Sequence, residues 1–322
     1  MLLIASSAAL SFNASASEPL SSVPVAFRAA VAKRVNAGLE IKDTRSLRSD
    51  ETEWLFVLAH EPRPFDSQDY LYAFVRGNDG IVRDRAVGRD TFAMFGTVAE
   101  QRESPLAVQH GALADVNGDG KPELIISRWG GGSAWDCSST IAYEVRGPRM
   151  TRLISGAAVL EDLDHDGTEE VVLVDGSWQM YAPFSHAESP GGHVVFRWRN
   201  GRYEFAGPEF RAYYDEAKRR NEREFAALDA ADDLSRMHLA LSAYIDSVRF
   251  GDKTGLDLLR QRLGSMRSSA YRYAFAYMLR DFTKGRSAML LARPVIGEPL
   301  LQWWTDESAG FCQGEWLQSW GP

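Results

Sequence analysis

Positive charge is in short supply in this chain. Its 322 residues carry 36 Lys and Arg against 44 Asp and Glu, a formal net charge of −8. That balance argues against nucleic acid as a partner. Long apolar runs are missing too, since no interior segment approaches the ~20 apolar residues of a membrane span. The signatures that announce many enzymes are also absent. There is no Gly-x-Ser-x-Gly elbow, no His-Glu-x-x-His, no P-loop and no dinucleotide glycine fingerprint. Cysteine is scarce, with Cys137 and Cys312 alone. In an exported protein these two would pair and staple the tail to the middle of the chain. In the competing reading they are two free buried thiols, and their separation in sequence does not decide whether they meet.

What remains is a length that buries a sizeable core, with room for one large domain or two ordinary ones. Hydrophobic content of 45% and charged content of 25% are ordinary for a soluble globular protein. The first twelve residues form a short apolar run without a basic start, and Ala14-Ser15-Ala16 is an A-x-A cleavage signal. The expectation is a signal peptide over 1–16 and a periplasmic or secreted mature protein. A buried N-terminal helix is the alternative.

Two loops dominate the middle of the chain. Asp115-Val-Asn-Gly-Asp-Gly-Lys-Pro-Glu123 and Asp162-Leu-Asp-His-Asp-Gly-Thr-Glu-Glu170 place oxygen side chains at the first, third, fifth and ninth positions, with Gly at the sixth. Alternate oxygens on a tight turn converge on one point, and glycine allows the bend. The candidate cation ligands are Asp115, Asn117, Asp119 and Glu123 in one loop, and Asp162, Asp164, Asp166 and Glu170 in the other. Lys121 and Thr168, at the seventh position, add backbone carbonyls. An EF-hand needs a bidentate Glu at the twelfth position and a helix after the loop. That position is Ile126 or Leu173, inside strand-like runs, so these are not EF-hands. An all-oxygen donor set favours Ca²⁺ over zinc or copper, and Mg²⁺ tolerates such a cage poorly. Two Ca²⁺ sites are therefore expected, tighter at the second loop because it has four carboxylates against three. The plain alternative is a pair of Asp/Gly-rich turns holding no ion. His165 sits at a non-ligand position and is expected to face solvent. His110 reads as an ordinary strand residue.

Aligning the loops exposes a recurring unit of four short strands. In one unit, Gly111–Ala114 precedes the loop and Glu123–Ser127 follows it. Thr140–Arg146 and Arg149–Ile154 then flank a Gly147-Pro148 turn. In the other, Ala158–Glu161 and Glu170–Val174 flank the loop, and His193–Arg199 and Arg202–Phe205 flank Asn200-Gly201. Trp54–Leu58, Tyr70–Arg76 and Ile81–Ala86 match the later strands of such a unit without a loop, and Gly38–Lys42 is a candidate first strand. Residues 88–106 read as a connector with a short helix or strand near Phe92–Phe95. Arg76, Arg146 and Arg199 each end a strand just before its turn. Four strands in ~50 residues is what a β-propeller blade requires.

The loop signature resembles the FG-GAP or VCBS repeats of integrin-alpha-like β-propellers, over residues 107–207 and more weakly over 45–106. Glu123 and Glu170 stand where that family more often has Asp, and three units are visible where a closed propeller needs at least four blades. The resemblance implies a calcium-stabilised binding protein, with a protein or a glycan as its ligand.

After Gly207-Pro208 the periodicity turns helical. Apolar stripes run through Phe210–Leu228, Leu234–Val248, Leu256–Met266 and Tyr271–Phe282. The expected organisation is a lead-in with a short helix over 17–44, propeller-like repeats over 45–207, helices over 208–283 and an aromatic-rich tail over 284–322. The fold class is mainly β with an α-helical C-terminal region, the repeats forming a closed or partial propeller. The expected function is an exported calcium-binding binding or scaffold module. One alternative is an extracellular hydrolase or lyase of polymers. It would use the 129–137 and 176–192 loops, and Asp175 with Glu188 is a conceivable acid pair, the competing reading being plain surface acids. Another is an assembly protein that recruits a partner through its helices.

Overall fold

The computed structural model of the chain describes residues 20–35, 38–62, 68–90, 92–96, 110–129, 138–175, 184–185, 188–252 and 254–265. The signal segment, both cysteines, the 130–137 and 176–183 stretches, the fourth helical stripe and the aromatic tail lie outside them.

Among the described residues, thirteen strands form three antiparallel sheets. Sheet 1 is a meander of β1 (Glu40–Ser49), β2 (Thr52–Glu61), β3 (Gln68–Arg76) and β4 (Val82–Asp90). Sheet 2 holds β5 (Phe92–Phe95), β6 (Leu113–Ala114), β7 (Glu123–Trp129), β8 (Ser138–Arg146) and β9 (Arg149–Gly156). Sheet 3 is the meander β10 (Ala158–Glu161), β11 (Glu170–Asp175), β12 (Gly192–Arg199) and β13 (Arg202–Phe205). The turns carry the residues that tight hairpins demand. Asn200 and Gly201 both take positive φ, at 53° and 78°, as a two-residue type I′ turn requires. Gly147 has φ +50° and is followed by Pro148, whose ring fixes a negative φ, the order of a type II′ turn.

Sheet 2 departs from the expected unit. Its first strand is shortened to Leu113–Ala114, and the edge of β7 is shared. Leu113 and Ala114 pair with Leu124 and Glu123, while Phe92–Phe95 pair with Trp129 back to Ile126. The connector therefore contributes a strand, and it fills backbone positions on β7 that β6 is too short to reach.

Strand alternation decides how the sheets stack. On β2, Trp54, Phe56 and Leu58 face sheet 2, where they meet Leu124, Ile126, Ile141 and Tyr143. Leu55 and Val57 face the other way. On β7 and β8, Ile125 and Ala142 turn towards sheet 3, against Leu160, Val171, Val194 and Phe196. The result is a stack of three sheets with two outer faces, and each outer face is covered by helix. Helix α1 (Val25–Arg34) lays Phe27 and Val31 on Leu55, Val57 and Phe74. On sheet 3, Val172 and Val195 pack under Phe210 and Tyr214, the latter on α2 (Arg211–Ala227). Each such apolar side chain is worth about 1.5–3 kcal/mol when fully buried. No sheet closes on itself, and no propeller ring is seen among the described residues. Covering both outer faces with helix removes the surfaces onto which another sheet would pack.

Helix α3 (Asp233–Phe250) lies against β12 so closely that a Cβ on Gly192 would come 2.4 Å from Ile245 Cγ2. Asp232 caps its start by accepting from Ser235 N, and Gly251, at φ +86°, ends it. With α4 (Gly255–Gly264) and Phe184 it builds a separate core around Met237, Leu241, Ile245, Leu259 and Leu263.

One buried carboxylate pins sheet 1 to β5. A bulge at Lys42 on β1 interrupts the register between Ile41 and Asp43. Lys42 Nζ donates to Asp69 Oδ2 at 2.8 Å, and Ala93 N donates to the same oxygen at 2.7 Å. His60 Nδ1 lies 2.8 Å from Asp69 Oδ1.

Candidate metal centre

The two acidic loops join β6 to β7 and β10 to β11, side by side where sheets 2 and 3 meet. Glu169 N donates to Val116 O at 3.0 Å, and Tyr203 Oη donates to the same carbonyl at 3.1 Å. Their internal hydrogen bonds match. Asp115 Oδ1 accepts from Asp119 N at 3.2 Å and Oδ2 from Gly120 N at 2.7 Å. Asp162 Oδ1 accepts from Asp166 N and Oδ2 from Gly167 N, both at 3.0 Å. The fifth-position carboxylates accept from the seventh residues, Lys121 N and Thr168 N, each at 2.9 Å. The ninth-position Glu123 and Glu170 reach back to Val116 N at 3.0 Å and Leu163 N at 2.9 Å.

Backbone conformation matches as well. The sixth residues, Gly120 and Gly167, have φ +82° and +88°. The fourth residues, Gly118 and His165, have φ +73° and +62°. Glycine is required at 118 for a second reason, because a Cβ there would meet Thr168 Oγ1 of the other loop at 2.7 Å. His165, at the matching position, is exposed. His110 is not a loop residue in function either. Its Nε2–H donates to Leu160 O at 3.2 Å and lies 3.7 Å from Glu169 Oε2, tying the approach to β6 onto sheet 3.

In the second loop, Asp162, Asp164 and Asp166 each offer a carboxylate oxygen within 4.8 Å of the others. Glu170 is fully buried, and its Oε1 accepts no hydrogen bond. In the first loop, Asn117 replaces the middle acid and turns its amide inward. Its Nδ2 donates to Glu123 Oε1 at 3.1 Å, and its Oδ1 accepts from Asp119 N at 3.1 Å. Burial pushes both ninth-position glutamates up to about 7, and the neighbouring aspartates add to the shift. Asp166 is held below the usual carboxylate range by the Thr168 N–H and by Arg197.

The sequence reading missed the positive charges. Arg197 on β12 enters the second loop, with Nη2 2.7 Å from Asp164 Oδ2 and in contact with Asp166. Arg146, at the end of β8, contacts Asp119 and lies 2.9 Å from Glu144 Oε1. Val171 pairs with Phe196, so the antiparallel register brings Arg197 beside Glu170. Arg199, which the turn pattern singled out, pairs instead with Glu209.

The proposed acid pair fares differently. Glu188 is exposed and accepts from Ser185 Oγ at 2.7 Å, closing a turn, while the Asp175 side chain lies outside the described set. Comparison with protein-family models, with curated proteins and with solved structures found no match to this chain.

Proposed function

We propose that this chain is an exported calcium-binding protein of propeller-like, FG-GAP or VCBS type. Its two acidic loops hold Ca²⁺, and the stiffened stack serves as a binding or scaffold module for a protein or glycan. The observation that carries the reading is the second loop. Three aspartate carboxylates converge there beside a fully buried glutamate whose Oε1 accepts no hydrogen bond. An orphaned buried carboxylate oxygen is costly unless a cation or donor reaches it. The donor set fits a hard cation, since every candidate ligand is an oxygen.

Asp162, Asp164, Asp166 and Glu170 would hold the ion with the Thr168 carbonyl, and Asp115, Asn117, Asp119 and Glu123 would do so with the Lys121 carbonyl. The ion supplies positive charge where carboxylates crowd, so binding energy becomes folding energy. At a hundred times its dissociation constant, Ca²⁺ at one site adds about 2.7 kcal/mol of stability. Because the loops sit where sheets 2 and 3 meet, that energy acts on the junction between sheets.

Calorimetric titration of the full chain tests this. Ca²⁺ should bind and raise the melting temperature, and Asp166→Asn should weaken the tighter site while leaving the other. Identical titrations for native and Asp166→Asn chains would sink the assignment.

A further inference from the structure

Strand β8 of sheet 2 and strand β12 of sheet 3 each send one guanidinium among the carboxylates that a cation in the loop would use. Arg197 contacts Asp164 and Asp166, and its Nε lies 3.8 Å from Glu170 Oε1. Arg146 contacts Asp119, with Nη2 3.9 Å from Glu123 Oε1. The two arginines come from different positions, Arg146 at the last residue of β8 and Arg197 two residues before the end of β12. They nevertheless arrive at the same fifth- and ninth-position acids. Neither fits its loop fully. Arg146 Nη1 is buried without a hydrogen-bond partner, and Glu170 Oε1 accepts none beside Arg197.

We propose that Arg146 and Arg197 are resident counter-cations which Ca²⁺ must displace, so that they set the affinity and selectivity of the two loops. The proposal rests on the calcium reading above. One carboxylate lone pair cannot serve a guanidinium and a metal ion together. Arginine stays charged at any working pH, so it cannot yield by losing a proton and has to move. A place to move to exists for each. Glu204, whose Oε1 also holds Arg202 at 2.8 Å, stands opposite Arg197 across β12 and β13, and the Phe210 ring lies 5.8 Å from the Arg197 guanidinium. Arg146 already touches Glu144 on its own strand. Selectivity follows from charge. A monovalent ion brings no more charge than the guanidinium it replaces, whereas a divalent ion brings twice as much.

The test is calorimetric titration of the full chain with Ca²⁺ in native, Arg197→Met, Arg146→Met and Arg197→Lys forms, with a thermal melt confirming that each is folded. Arg197→Met should tighten the second site about ten- to a hundredfold, the scale on which groups beside the ligands change metal affinity. Arg146→Met should do the same at the first site, and Arg197→Lys should fall between native and Met. In the native chain, independently of any variant, the Arg197 Nε–H resonance should shift on saturation with Ca²⁺. Unchanged or weaker binding by folded Arg197→Met, or a resonance that stays in place, overturns the displacement while leaving calcium binding intact. Binding by none of the chains overturns both ideas. Binding by the Met variants alone supports the contest for the carboxylates and overturns calcium binding by the native chain.

Discussion

Replacing Gly118 by alanine should couple the two acidic loops measurably. Gly118 has φ +73°, a conformation that a Cβ disfavours by roughly 1–2 kcal/mol. The added Cβ would also sit 2.7 Å from Thr168 Oγ1 and 3.6 Å from Thr168 Cβ. That side chain has to turn or shift off its preferred rotamer, at about 1 kcal/mol. Gly118→Ala should therefore destabilise the chain by about 2–3 kcal/mol. In a Thr168→Ala background only the backbone cost remains, about 1–2 kcal/mol. The coupling energy between positions 118 and 168 should then be about 1 kcal/mol. Urea unfolding of the four chains in excess chelator, followed by circular dichroism, measures each value with ion binding excluded. An equal cost of Gly118→Ala in both backgrounds would refute the contact between the loops. A total cost under about 0.5 kcal/mol would refute the steric argument as a whole.

His165 holds the matching left-handed position with a Cβ, so His165→Gly should raise stability by about 1 kcal/mol in the same urea assay. Asp69→Ala removes a carboxylate that accepts from Lys42 and Ala93 N and contacts His60, taking the acceptor from a buried amide and the Asp69 counter-charge from an ammonium that keeps its bond to Ala93 O. A loss of about 3–5 kcal/mol is expected, seen as a lower urea midpoint. Stability should also depend on pH in the ion-free chain. Glu123 and Glu170 are raised from 4.5 to about 7 by folding, so between those values the folded chain holds protons that the unfolded chain has released. Their contribution is full below the unfolded value and fades as pH rises through the folded one. The urea midpoint in chelator should fall across that window. The fall should shrink in a chain carrying Glu123→Gln and Glu170→Gln, and saturating Ca²⁺ should flatten it.

Most strands were legible because their local signals agree. Asn200-Gly201 and Gly147-Pro148 each dictate a two-residue hairpin, and the alternating residues around them fix which face is buried. The helical stripes Phe210–Leu228 and Leu234–Val248, and the third stripe as far as Leu263, correspond to α2, α3 and α4, because each buries one face against a core, while Met266 lies outside the described residues. The short helix expected in the lead-in is α1. Its sequence is weakly amphipathic, and its place is set by Phe27 and Val31 meeting sheet 1, a contact that local spacing does not encode. Phe92–Phe95 was ambiguous for a similar reason, since its pairing depends on β6 being too short to cover β7. At the loops, the spacing of the oxygen side chains was visible because it lies within nine residues. Arg146 and Arg197 were not, because they arrive from strands 23 residues beyond Glu123 and 27 beyond Glu170. Long-range charge pairing follows from sheet register, which emerges only when the strands are aligned.

The helices on the two outer faces act as end groups on a short linear polymer of sheets. In stacked architectures, stability is close to a sum of units and of the interfaces between neighbours, and the terminal units alone must face water. Here α1 and α2 take the terminal role, so the number of sheets between them is not fixed by the ends. A further four-stranded unit with the same inner faces as sheets 2 and 3 could be inserted between them without altering either terminus. Loss of α1, by contrast, would bare Leu55, Val57 and Phe74 together. An exposed apolar sheet face of that kind invites a second copy of the stack to dock there.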